Sequence, residues 1–158
     1  MTFLEQLRLQ LEQDEGVVPE IYLCSEGVPT FGIGHAVIQT DFEYGLPVGT
    51  AVSESRVTEA FVKDVETCLK DVRWLLPKFD DLPDPAKITV ASLSFQLGLP
   101  RYSRFKKHLA ALDKDPPDWL AAANELRNSK LYHQTRARTE RHARRLEGLK
   151  DDNEQQER

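Results

Sequence analysis

Asp14-Glu15-Gly16-Val17-Val18-Pro19-Glu20-Ile21-Tyr22-Leu23-Cys24-Ser25-Glu26-Gly27-Val28-Pro29-Thr30-Phe31-Gly32-Ile33-Gly34-His35 is the stretch on which the reading of this chain turns. It begins where a helical pattern stops. Thr2 and Glu5 stand at capping-box spacing, and Phe3, Leu4, Leu7 and Leu11 recur at helical intervals, so a first helix is expected over about 3–12, ended by Gly16. Beyond Gly16 the pattern changes to two short β-prone pieces, 20–24 and 28–34, with the turn signal Ser25-Glu26-Gly27 between them. A small hairpin or three-stranded sheet follows from that. Glu15 at a helix end, Cys24 near the end of one strand and Thr30 on the next can then converge at one edge of the sheet.

Working outward, residues 39–52 carry Asp41, Gly45, Pro47 and Gly49 with little periodicity and read as a surface loop. Ser53 opens a long helix reaching about Leu76, with Val57, Ala60, Phe61, Val65, Cys68, Leu69, Val72 and Leu76 on one side and charges on the other. Past Pro83 the pattern is helical throughout: Ala86–Leu97 closed by Gly98, Tyr102–Leu112, Asp118–Arg127 and Arg136–Leu149. The expected architecture is α+β. A small lobe with a short antiparallel sheet, about 14–52, is joined by the helix 53–76 to an all-helical lobe, about 77–148, with a cleft between them. Residues 149–158 read as a disordered tail on a single domain of 1–148.

A chain of 158 residues with 40% hydrophobic and 30% charged residues can bury a core without a metal or disulfide staple. Collagen-like, mucin-like and wholly disordered classes are thereby excluded. Two cysteines are too few for a disulfide framework, and no apolar run is long enough to span a membrane. No export signal is visible at the start. The net charge of −5 conceals a split: residues 1–100 carry −9 and residues 101–148 carry +6. One face is therefore expected to meet an anionic partner: nucleic acid, a wall polymer or a membrane surface.

Glu15, Cys24 and Thr30, with eight and then five residues between them, together with Gly32-Ile-Gly-His35, resemble the phage-type lysozymes of glycoside hydrolase family 24, the kind made by T-even and lambdoid bacteriophages. Two distant blocks agree. Ser94-Phe-Gln-Leu-Gly98 resembles the family's helix ending in glycine, and Ser129-Lys-Leu-Tyr-His-Gln-Thr-Arg-Ala-Arg138 resembles its Tyr, Gln and Thr segment before an Arg-rich last helix. The resemblance covers most of 3–148. Ser92 departs from it where an Asn is expected, the 39–52 loop has no firm counterpart, and Cys24 replaces the Asp of the best-known members.

The resemblance implies a lysozyme-like fold and hydrolysis of the β-1,4 bond between N-acetylmuramic acid and N-acetylglucosamine in bacterial peptidoglycan. Glycosidic cleavage needs a proton delivered to the leaving oxygen and a base or nucleophile on the other side. Glu15 is the acid in that scheme, and burial or apolar neighbours are expected to raise its pKa. Cys24 is the base that activates water or the nucleophile, and Thr30 orients the water or the thiol. Phe31, His35, Gln96 and Arg138 are the substrate-binding residues the resemblance implies. No cofactor or metal is needed, and a monomer is expected. Arg136, Arg138, Arg141, Arg144 and Arg145 lack interleaved aromatics, so they are expected to close the cleft and meet anionic wall polymer rather than nucleic acid. The implied origin is a phage or prophage endolysin, made in the bacterial cytoplasm and delivered by holin, virion or secretion machinery. Two rivals stand beside this: a thiol amidase using Cys24 with His35, and a binding or structural phage protein that kept the fold without activity.

Overall fold

The computed structural model describes residues 1–150. They fall into two compact units, the first Met1–Thr67 and the second from Cys68 onward. In the first unit, helix α1 (Phe3–Glu15) starts with a complete capping box: Thr2 accepts from the Glu5 amide at 3.2 Å and donates its own amide to Glu5 at 3.0 Å. It extends three residues past the expected end, to Gly16, whose φ of 75° only glycine adopts readily. Leu7 and Leu11 are fully buried, whereas Leu4 is exposed.

Three strands follow: β1 (Val18–Leu23), β2 (Pro29–Gly32) and β3 (His35–Ala36), paired antiparallel in that order. Tyr22 faces Thr30 across the first ladder, and Phe31 faces His35 across the second. The 39–52 segment is irregular, as expected, yet it is not merely a surface loop. Its far end lies along β1, with Gly49 donating to Ile21 O at 2.7 Å, Ile21 to Thr50 O at 2.9 Å and Val52 to Pro19 O at 2.9 Å. That contact covers a strand edge which would otherwise be unpaired.

Helix α2 (Glu54–Leu75) begins where the Ser53 hydroxyl accepts the Arg56 amide at 3.1 Å. Its apolar stripe matches the expected one, with Val57, Ala60, Phe61 and Val65 buried in the first unit and Cys68 and Val72 in the second. The Cys68 thiol donates to Ala91 O at 3.1 Å.

The second unit is helical among its described residues. After a short 3-10 turn (Phe79–Asp81) come α3 (Asp84–Leu97), α4 (Leu99–Tyr102), α5 (Lys106–Leu112), α6 (Trp119–Arg127), α7 (Lys130–Gln134) and α8 (Arg136–Glu147). Helix α3 is buried almost all round, from Ala86 through Leu97. The helix expected over Tyr102–Leu112 starts later, at Lys106, as α5, and Tyr102 instead ends the preceding α4. Phe105 donates back to Tyr102 O at 3.0 Å, and that tight turn separates them. Helix α7, five residues long and capped by Ser129, has no counterpart among the expected elements. A tail is expected from 149, but Leu149 is buried; residues 151–158 of that expected tail lie outside the described residues. Eight helices and one three-stranded sheet among the described residues make an α+β fold of the lysozyme type.

Candidate active site

Glu15 is the last residue of α1, and the β2–β3 turn comes up against its carboxylate: a methyl group at Gly34 would stand 3.3 Å from Glu15 Oε2. Gly34 also has φ 67°, so both space and backbone demand glycine there. Tyr22 joins the two halves of the site. Its hydroxyl pKa is raised first by burial and then by the negative charges of Glu15 and Cys24, which puts each of those two groups within electrostatic reach of Tyr22.

Cys24 sits at the end of β1, where the hairpin turns. Its amide donates to Val28 O at 3.0 Å, and Gly27 donates to Cys24 O at 2.8 Å, so the turn wraps back over the residue. The Val28 amide, then the Glu26 amide, and also the Thr30 hydroxyl hold the thiol pKa below the ordinary value, outweighing burial and the Glu26 carboxylate, which push it up. Thr30 is buried, and its hydroxyl donates to Val28 O at 2.8 Å. One proton serves one acceptor at a time, so Thr30 can hold the loop or solvate a thiolate but not both at once. Tyr22 and the donors from the turn were within the quoted sequence; Ser25-Glu26-Gly27 read there only as a chain reversal.

Phe31 and His35 are placed differently from their implied roles as substrate contacts. Phe31 is fully buried, with the His35 ring 4.9 Å from its own and the Arg56 guanidinium 5.5 Å from its centroid. His35 is 7% exposed, and both its ring nitrogens are taken: Nδ1 by Asp64 at 2.7 Å and Nε2 by Asp41 at 2.8 Å. Burial alone would lower its pKa; the two carboxylates reverse that and raise it. Neither side chain is open to a sugar, and His35 has no nitrogen left to act as base for Cys24, which removes the physical ground for a thiol amidase. They instead support the hairpin from beneath. Asp41 continues to Arg56 at 3.2 Å, and Arg56 grips the buried Glu43 at 2.8 Å. Asp41, Glu43, Arg56 and Asp64 had no sequence signal, since their partners lie 6 to 29 residues away with no shared period.

The second unit carries the other two implied residues. Gln96 lies on α3, its Oε1 buried without a hydrogen-bond partner among the described residues; Arg138 lies half-buried on α8.

Comparison of the sequence with known proteins gives the family. The family model described as phage lysozyme matches residues 12–151. "Probable T4-type lysozyme 2" of Dictyostelium discoideum is 29% identical over 157 residues, covering 87% of this chain and 91% of that protein; "Probable T4-type lysozyme 1" of the same organism is 26% identical over the same shares. The "Pre-baseplate central spike protein Gp5" of Enterobacteria phage T4 is 24% identical over 89% of this chain, which corresponds to only 27% of that longer protein. A single family model thus runs from the end of α1 through the hairpin, both distant sequence blocks and α8, and the chain belongs to the phage lysozyme family.

Proposed function

We propose that this protein is a muramidase that hydrolyses the β-1,4 bond between N-acetylmuramic acid and N-acetylglucosamine of bacterial peptidoglycan, with Glu15, Cys24 and Thr30 as its catalytic residues. The observation that supports the reading is the arrangement around the hairpin: the β2–β3 turn lies against the Glu15 carboxylate, Tyr22 pairs with Thr30 across the sheet and feels the charges of both Glu15 and Cys24, and the turn's backbone and Thr30 lower the Cys24 pKa. Glu15 donates its proton to the glycosidic oxygen as the bond to the anomeric carbon breaks. The Cys24 thiolate takes a proton from the water that attacks that carbon, and the Thr30 hydroxyl orients the water. A lowered thiol pKa shifts Cys24 toward the thiolate, which a free cysteine populates to only a few per cent near neutrality. Gln96 and Arg138 bind the saccharide chain. The protein acts as a monomeric endolysin of a phage or prophage, reaching the wall from the host cytoplasm through a holin, a virion or a secretion machine.

Purified protein incubated with peptidoglycan should release new reducing ends and no new free amines. Amines alone indicate an amidase, and neither product indicates a binding module. Glu15→Gln should lower turnover by about 100-fold or more with the fold intact, the usual scale for losing acid–base catalysis. Cys24→Ser should be nearly inactive, and Cys24→Asp active with its acidic limb moved to lower pH. Iodoacetamide should inactivate the wild type and spare Cys24→Asp, because Cys68 is buried. Full activity after alkylation of Cys24, verified by mass spectrometry, would remove the thiol from the mechanism.

A further inference from the structure

Arg101 and Arg104 by α4, Lys106 and Lys107 at the start of α5, and Lys130 at the start of α7 line one groove of about 580 Å³ in the second unit. All five are exposed, and among the described residues none has a carboxylate within ion-pair range. That sets them apart from Arg8, Arg56, Arg73 and Arg127, each of which holds a carboxylate at 3.2 Å or less. Glu125 is the single carboxylate lining the groove, and His108 on its wall is neutral, its pKa pushed down to about 4 by burial. The helix expected to supply the basic surface is more engaged: Arg136 lies over Tyr132, Arg145 reaches Thr89, and Arg138 and Arg141 are also held. Those contacts hold these α8 arginines in place, whereas the groove gathers five exposed cations, without a carboxylate partner among the described residues, into one concavity.

We propose that this groove docks a phosphodiester-linked polyanion of the cell envelope, a polyol-phosphate chain attached to or interleaved with the peptidoglycan; the choice of polymer rests on the wall-hydrolase reading. Repeating phosphates on a flexible backbone match several unpaired cations, two of them with the planar fork that binds phosphate oxygens in pairs. The peptide stems of peptidoglycan match less well, since they carry ammonium groups beside their carboxylates. Nucleic acid is also disfavoured. Base recognition on single strands needs free aromatic faces, and Phe105, the aromatic of the groove wall, packs against Tyr102 and His108 at centroid distances of 5.9 and 6.3 Å. Polymer held there would keep the enzyme at the wall between cuts.

The test is fluorescence anisotropy on the full chain with labelled poly(glycerol phosphate), and with an oligothymidylate of matched charge. Poly(glycerol phosphate) should bind, and five phosphate contacts should weaken binding on the order of 100-fold between 0.05 and 0.2 M salt. Arg104→Glu with Lys107→Glu should weaken it at least about 10-fold, while Lys63→Glu with Lys70→Glu, the same charge change on exposed positions of α2, should alter it less than about 2-fold. Wild-type binding by the groove variant, or equal loss in the α2 variant, overturns the proposal; tighter binding of the oligothymidylate than of poly(glycerol phosphate) gives the groove to nucleic acid. Reducing-end release from walls chemically stripped of anionic polymer keeps the two readings apart. The groove variant should match wild type on that substrate, and a wild type that binds the polymer but releases no reducing ends fails as a muramidase while its groove stands.

Discussion

Two imidazoles are buried in the second unit, and acid should unfold the protein through them. His108 and His142 are 1% and 0% exposed. Burial pushes the His108 pKa down to about 4, although its Nδ1–H donates to Ala122 O at 2.9 Å and so leaves Nε2 to accept from the Tyr102 hydroxyl at 2.9 Å. His142 is pushed lower, to about 3, first by burial and then by the charges of Arg145, Arg138, Arg141 and His108. In the unfolded chain both return to 6.5. The unfolded state therefore takes up protons first as pH falls. Stability is full above 6.5 and declines below it until each folded pKa is reached, at about 1.4 kcal/mol per pH unit per histidine.

Between pH 6 and pH 4.5 the two together remove about 4 kcal/mol, a large fraction of the 5–15 kcal/mol that holds a typical domain. The buried carboxylates Asp41 and Glu43 have lowered pKa values, so they add their own loss mainly below that window. His142→Leu removes one of the two titrations while keeping an apolar group in the buried site. Its loss of unfolding free energy over the same interval, from urea titrations followed by far-UV circular dichroism at pH 6.0, 5.5, 5.0 and 4.5, should fall to about 2 kcal/mol. An unchanged pH slope in His142→Leu would refute the assignment of acid sensitivity to a buried neutral His142.

Two further outcomes concern the candidate active site. Glu26→Gln removes a charge that raises the Cys24 pKa and leaves the Glu26 amide in place, so the pH midpoint for iodoacetamide alkylation of Cys24 and the acidic limb of the rate profile should both move down; a midpoint that stays or rises contradicts the thiolate cradle. Gly34→Ala sets a methyl 3.3 Å from Glu15 Oε2 at a φ of 67°, so it should lower kcat by about 10-fold or more at a stability cost of about 1–2 kcal/mol, with KM little changed; urea unfolding and initial rates separate the two effects.

What the sequence revealed and what it hid divide by range. Thr2, Glu5 and Gly16 act within a turn of the residues they cap, and the α2 stripe repeats often enough for its period to show, so those elements were legible. Helix α7 is too short to show a period, and the break between α4 and α5 is made by local backbone turns at Arg104 and Phe105. The second layer of the hairpin was hidden for a different reason. Asp64–His35–Asp41–Arg56–Glu43 joins a strand, an irregular segment and a helix, and each partner pair is meaningful only after the chain has brought them together. His35 shows the cost of reading such a residue alone: a histidine beside a candidate nucleophile suggests a base, whereas two carboxylates make it a buried cationic tie.

The hairpin turn carries the same lesson toward chemistry. A carboxylate at position 24 would be ionised near neutrality with little help, but a thiol is not, so replacing one by the other requires the surroundings to change which protonation state is favoured. Here the lowering of the thiol pKa comes first from backbone, not from a second titratable side chain: hydrogen bonds from the backbone of Val28 and then Glu26, across the chain reversal at Ser25-Glu26-Gly27, favour the thiolate. The Glu26 carboxylate works against them, which makes the net effect a balance that a single substitution can tip either way. Donors supplied by the backbone do not depend on a titratable neighbour, so a thiolate at Cys24 can be favoured without a histidine partner, while His35 remains committed to Asp64 and Asp41.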